Sequence, residues 1–320
     1  MKKSIVVFLL IFNASYSQIS GCTDSIAKNF NPKATNNDGS CLYETAKTKP
    51  LISLKLSDSL KETSGLIAFD NLLWTHNDDH DTTIYGFDLN GKIKKKIKLE
   101  NVINTDWEEI SQDSSYIYIG DFGNNFQGNR KDLHLLRIEK KSFLANNPVI
   151  DTISFSYANQ TDFSIQKQNR TNFDCEAFVV LQDSIYLFSK QWSQKKTSIY
   201  VLPKTPGNYS AQLKQTHNVR GLITGATLLT SGKGIVLCGY SKMVKPFLYL
   251  LYDYKNNDFA SGNKRKIKLK LPFHQIESIE SNNGKLFYIT NESLIRKPFL
   301  NVPQQMHSID LSSYLKNRPF

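Results

Sequence analysis

Five segments of this chain share one local pattern: a short apolar strand, a tight turn of Asp, Asn, Ser or Gly, and a second strand rich in Tyr, Leu, Ile and Trp. They are SGLIAFDNLLWTHND (64–78), WEEISQDSSYIYIGDF (107–122), CEAFVVLQDSIYLFSKQW (175–192), GATLLTSGKGIVLCGY (225–240) and IESIESNNGKLFYITNE (276–292). Apolar strands joined by such turns are β-hairpins. Hairpins recurring at a coarse period indicate a repeat architecture. A third strand follows each hairpin: TIYGFDL, LHLLRI, SIYVLP, PFLYLLYDY and MHSIDLS. A fourth, more polar strand completes four of the units: IKKKIKLE, DTISFSY, AQLKQTH and KRKIKLKL. The fifth unit lacks one, and LISLKLS (51–57) near the N-terminus resembles the others. A ring closed by that segment leaves no unit with an open edge. The expectation is an all-β chain: a β-propeller of five four-stranded blades over 51–320, closed by an N-terminal strand. Six blades is the alternative count, with the extra unit inside 110–178.

The N-terminus reads as a signal peptide over 1–17. Lys2 and Lys3 precede the apolar run Ile5–Phe12, and small polar residues follow. Cleavage after Ser17 leaves Gln18 first, and the destination is secreted or periplasmic. The rival reading takes Ile19-Ser20-Gly21-Cys22 as a lipobox, with an anchor on Cys22. No later segment has the ~20 apolar residues of a membrane-spanning helix. Export favours disulfides. Four cysteines allow three pairings, and the short, compact segment between Cys22 and Cys41 favours that pair; Cys175 and Cys238 sit in apolar strands as buried thiols.

Residues 21–43 read GCTDSIAKNFNPKATNNDGSCLY. They closely resemble a small module of exported bacterial proteins with the pattern GCTD…DGSC. A segment this short needs a staple, and closing a loop of about 20 residues contributes roughly 3 kcal/mol. The module is taken as 18–44. Asp24, Asn31 and Asp38 supply hard oxygens suited to calcium, although Asn and Asp also make turns. Residues 45–50 (TAKTKP) read as a polar linker. The propeller segment resembles a family of exported propellers without assigned activity, with phytase-like and esterase-like propellers as distant relatives. The resemblance is carried by ETSGL (62–66), DWEEI (106–110), IYIGDFGNN (117–125) with GNRKDL (128–133), and DCEAF (174–178).

The turns between first and second strands are minimal, whereas the loops between second and third strands are long and polar. The face bearing the long loops, here the top, is therefore the expected binding face. Alignment of the units on Leu66, Ile110, Phe178, Leu228 and Ile279 places Ser64, Glu108, Glu176, Ala226 and Glu277 at one position of the innermost strand. Two residues earlier stand Glu62, Asp106, Asp174, Thr224 and Gln275. Carboxylates gathered on an axis need a cation, a basic partner or raised pKa values. Calcium on Glu108, Glu176 and Glu277 is the expectation. The alternative is that each Glu accepts a backbone N–H from a neighbouring blade. Ser64, His76, Asp78, Asp121, Asn124, Arg130, Lys190 and Trp192 are the expected ligand-binding residues of the top loops, with His76 and His80 also able to take a transition metal.

The formal charge is +11. Its lysines fall on strands with alternating exposure, which argues against nucleic acid as partner and leaves a polymer, a protein or a small molecule, bound by a monomer. No G-x-S-x-G elbow, H-E-x-x-H or Walker motif is present. The leading expectation is an exported binding propeller. The alternative is a calcium-dependent hydrolase, as the phytase-like and esterase-like resemblance implies.

Overall fold

A computed structural model describes residues 18–229 and 232–315. The signal-peptide reading of 1–17 lies outside the described residues. Twenty of the strands form five antiparallel four-stranded units. Their inner strands are Thr63–Phe69, Trp107–Gln112, Cys175–Leu181, Leu222–Leu228 and Ile276–Glu280. The fourth strand of the last unit is Ile52–Lys55, paired antiparallel to Gln305–Asp310. The chain start thus closes the ring, as the repeat predicts. The interval 158–174 contains no strand, so 110–178 holds no sixth unit.

Alternation explains how the units pack. In the third blade, Phe178 and Val180 face the second blade, while Ala177, Val179 and Leu181 face the fourth. Five large apolar clusters result, one at each interface between neighbouring blades. The last joins Tyr288 and Met306 to Leu66, Tyr85 and Phe87, returning from blade five to blade one. Hairpin turns take the conformations their residues allow: Asp70 and Asn71 both have positive φ, 52° and 59°, the pair a two-residue primed turn requires.

Three outer edges are covered. The outer strands Ile150–Tyr157 and Gly207–His217 pair in parallel, joining blades two and three. The segment read as a linker is not free chain: Ala46–Thr48 adds in parallel to the outer strand of blade four, Asn263–Leu269. Covering an outer edge removes a template for unwanted strand addition.

Cys22 and Cys41 are joined, with S–S 2.00 Å, and Cys175 and Cys238 are free and buried. The bond occupies the Cys22 sulfur, which corrects the lipobox reading, because a lipid thioether needs that atom. Three of the module's expected calcium-binding side chains accept hydrogen bonds. Asp24 is buried and accepts from the Tyr43 and Tyr252 hydroxyls at 2.8 and 3.0 Å. Asn31 and Asp38 accept from the backbone N–H of Lys33 and Ser40, closing Asx-type turns. Asn37 donates to Asn263 at 3.1 Å, seating the module against the start of blade four's outer strand. Among the described residues, no helix is long and apolar enough to cross a membrane.

Candidate functional site

Each inner strand starts at the top of the ring, and each carries an irregularity within its first residues. In blades two to five the strand pairing skips one residue: Glu108, Glu176, Thr224 and Glu277. Such a bulge re-aims a side chain that the regular pleat would place in a blade interface. In blade one the skip includes Gly65, at φ +68°, where a Cβ would lie 2.5 Å from the Ile110 backbone nitrogen. Only glycine permits that approach.

Blade four corrects the sequence alignment. Its bulged residue is Thr224, and its partner two residues earlier is Leu222, not Ala226 and Thr224. The alignment followed a large apolar residue, Leu228, when the equivalent position holds Ala226. A shift of two residues keeps every side chain on its face, so alternation cannot reveal it.

The three bulged glutamates open onto a cavity of about 370 Å³ at the top of the axis. Ser64, Asp78, Glu108, Glu176, Lys190, Trp192 and Glu277 all line it, together with Asp106, Tyr240 and Glu292. The fully buried group is Glu108, Asp174 and Glu176, with one carboxylate oxygen of each within 4.8 Å of the others. Asp174 thus stands in this group where the sequence placed Glu277. A second group, Glu62, Asp78 and Glu292, gathers nearby. The sequence alignment places Glu62 among the axial carboxylates but passes over Glu292, although it lies in a quoted motif. It also passes over Tyr240, whose only signal is its place at the top end of a second strand.

Hydrogen bonds fix the floor. Asp174 accepts from the Asn124 backbone N–H at 2.7 Å and from the Trp192 indole N–H at 2.6 Å. Lys190 pairs with Glu176 Oε2 at 2.8 Å, and its ammonium lies 4.7 Å from the Trp192 ring and 5.6 Å from that of Tyr240. Glu176 Oε1 is buried without a hydrogen-bond partner. Gly123 allows the loop after blade two's second strand to approach: a Cβ there would lie 2.2 Å from Asp106 Oδ2 and 2.4 Å from Glu108 Oε1.

So many carboxyls in one desolvated space cannot all ionise freely. Burial, then Glu176 and the neighbouring aspartates, push Glu108 well above the carboxylate range. Burial, then Glu176, raise Asp174 as well. Burial raises Glu277 and Asp78 to about 7, and Asp106 to about 6. Burial opposes the Lys190 charge, yet Glu176 and the surrounding anionic groups outweigh it and hold the ammonium protonated.

Four expected ligand residues are placed elsewhere. His76 is fully buried, edge-on to Trp107 at 5.5 Å, and burial pushes its pKa down to about 4. Its Nδ1 lies 3.1 Å from the Asn77 carbonyl oxygen, and neither acidic group includes His76 or His80. Asp121 takes Arg130 at 2.7 Å and the Thr105 N–H at 3.0 Å. Arg130 also donates to the Gly123 carbonyl at 2.9 Å. Asn124 bonds the Phe173 carbonyl and the Arg130 N–H besides supporting Asp174. These three position the floor instead of lining the cavity. Of the top-loop cations, Lys190, Lys195 and Arg296 line the cavity with Lys242, whereas Arg130 and Lys196 do not.

No family model and no curated protein matches the sequence. Among solved structures the chain is similar to hydrazine synthase from Kuenenia stuttgartiensis, at 10% identity over 81% of this chain and 65% of that one, with a TM-score of 0.38. It is similar to the PQQ-bound aldose sugar dehydrogenase of Streptomyces coelicolor, at 10% identity over 81% and 97%, with a TM-score of 0.44. It is also similar to streptogramin B lyase, at 11% identity over 75% and 79%, with a TM-score of 0.41. This chain therefore spans about two thirds of the hydrazine synthase chain. No chemistry transfers at that identity, and the resemblance to exported propellers stands on the quoted motifs alone.

Proposed function

We propose that this protein is an exported binding propeller whose axial cavity holds a hard divalent cation, calcium, on Glu108, Asp174 and Glu176, with its ligand entering over that ion. One observation carries the reading: Glu176 has a buried oxygen without a partner in a cluster of three buried carboxylates. A cation satisfies that oxygen while Lys190 keeps the other. Oxygen-only ligands and room for waters favour calcium over zinc. Trp192 bonds one of the three carboxylates and so gives a direct test. Terbium bound at this site emits on excitation of the indole, calcium displaces it, and Glu176→Gln abolishes the emission. Emission unchanged in Glu176→Gln places the ion elsewhere and overturns the reading.

A second reading, calcium-dependent hydrolysis of an ester or phosphate ester, is favoured by one feature. Lys195, Lys242 and Arg296 line the same cavity as the carboxylates and provide positive charge for an anionic substrate. Calcium-dependent turnover of a phosphate or carboxylic ester by the purified protein selects this reading. Calcium binding without turnover leaves the binding propeller.

A further inference from the structure

We propose that the top loops of blades four and five dock this protein on an anionic lipid surface. The proposal is independent of what the axial cavity binds. Three loops carry it: 241–245 (SKMVK), 270–275 (KLPFHQ) and 294–300 (LIRKPFL). Each presents large apolar side chains to solvent beside cations. Met243 is 66% exposed, Phe273 52%, Ile295 56% and Phe299 94%. The cations among them, Lys242, Lys245, Lys270, Arg296 and Lys297, are exposed as well. The loops contain no Asp or Glu. None of these five cations takes part in an ion pair among the described residues. The lysines of blade one's outer strand differ: Lys94 and Lys95 pair with Asp88 and Asp70.

The loops form one surface. The Phe273 N–H donates to the Val244 carbonyl at 3.0 Å, tying the first loop to the second. Val244, Lys242 and Arg296 border the same cavity mouth, which brings in the third. The third loop is a hairpin of its own, Leu294–Arg296 paired with Leu300–Val302, with Phe299 near its tip. Backbone strain accompanies the exposure. Val244 and Phe273 have φ of 49° and 66°, a region that β-branched and bulky residues rarely enter. Such strain persists only where surrounding structure enforces it, and it clusters at functional sites.

Apolar tips on separate loops, interleaved with Lys and Arg, suit insertion between lipid headgroups: the tips reach the acyl boundary and the cations meet phosphates. The core of a protein interface is depleted in charge, which this surface is not. Behind the loops, Lys245, Lys266, Lys268 and Lys270 border a groove of about 550 Å³ over Pro246 and Leu271, placing further cations at headgroup depth. Blade one's top loop at 78–82 is acidic (DDHDT), so the molecule would sit tilted, with blades four and five against the surface.

The test is vesicle co-sedimentation of the disulfide-intact chain without residues 1–17. One set of vesicles is phosphatidylcholine alone, and the other contains phosphatidylglycerol. The expected result is salt-sensitive binding to the anionic vesicles, at least about tenfold stronger than to neutral ones. Met243→Ser with Phe299→Ser should weaken it about tenfold or more, and Lys245→Glu with Lys297→Glu similarly. Thermal melting checks that the variants fold. Should the double variant unfold, Phe299→Ser alone, at a side chain almost wholly in solvent, serves in its place. Absence of sedimentation, equal sedimentation with neutral vesicles, or unchanged binding by folded variants overturns the proposal. So does binding of a single-stranded oligonucleotide or self-association that the same substitutions abolish while vesicles are ignored.

Discussion

Glu108 and Glu109 are neighbours in the chain, both buried near the axis, and they meet opposite surroundings. Glu109 Oε2 accepts the Ala226 backbone N–H at 2.7 Å and Oε1 the Ile110 N–H at 3.0 Å. It therefore reaches across the ring from blade two to blade four. Glu108, on the bulge, faces Asp106, Asp174 and Glu176. The backbone-accepting role that the sequence allowed for the shared-position glutamates belongs to the residue beside one of them. Burial alone does not separate scaffold from site; the available donors do. A carboxyl supplied with N–H groups holds blades together, and one supplied with other carboxyls is where we propose a cation.

The sharpest way to break this comparison is to remove the scaffold member. Glu109→Leu leaves the Ala226 and Ile110 N–H groups buried and unpaired. Each such group costs about 1–3 kcal/mol, so the variant should lose about 3–5 kcal/mol in urea unfolding. Calcium should not restore it. A loss no larger than that of Glu108→Gln would erase the distinction between the two layers.

The next effect is a pH dependence of the upper layer. Glu277 is raised from 4.5 to about 7, chiefly by burial, and Asp78 rises to about 7 as well. Groups raised in the folded state cost nothing below their unfolded values near pH 4. They destabilise the fold progressively as pH climbs through 7. For Glu277 alone the shift is worth on the order of 3 kcal/mol. In EDTA the melting temperature should therefore fall between pH 5 and 8. With calcium bound to the neighbouring carboxylates the fall should shrink, because a cation favours the ionised forms. A melting temperature that rises over that range in EDTA contradicts the assignment of the upper layer.

Much of this was legible in the sequence, for a physical reason: blades are hairpins, and hairpins announce themselves through alternation and turn residues. LISLKLS could be assigned to the last blade because outer strands share an alternation of Lys or Ser with apolar residues. The axial site was legible only in part. Glu108, Glu176 and Glu277 stood out because three units repeat one residue type, but the two-residue slip in blade four was invisible to a period of two. Bulges set which side chain turns inward, and they depend on strand pairing, which the sequence does not display. His76 misled for a related reason: it stands among Asp and Asn residues in the chain, yet strand geometry turns its ring inward against Trp107. In the sequence Lys190 stands only as one of two cations, with Arg130, among the expected top-loop ligands. Its salt bridge to Glu176, enclosed by Trp192 and Tyr240, depends on three strands from two blades meeting at the axis.

The smallest predicted effect is the most discriminating, because its sign differs from that of an ordinary buried-group substitution. Glu108→Gln keeps volume and removes a group that its surroundings hold away from ionisation. The substitution leaves no hydrogen-bond donor of that carboxyl unpaired, and the amide can donate to Asp174 or Glu176 where the acid needed a proton to do so. In EDTA at pH 8 the variant should match or exceed the parent in stability by up to about 1 kcal/mol, since the cost of keeping a buried acid un-ionised above its unfolded pKa is gone. In excess calcium the order should reverse, because the parent gains the mass-action term for a bound ion and the variant gains less. Paired melting curves with EDTA and with calcium decide it. A variant less stable than the parent by the same amount in both media would make Glu108 a scaffold residue like Glu109, and the contrast between the two layers would collapse.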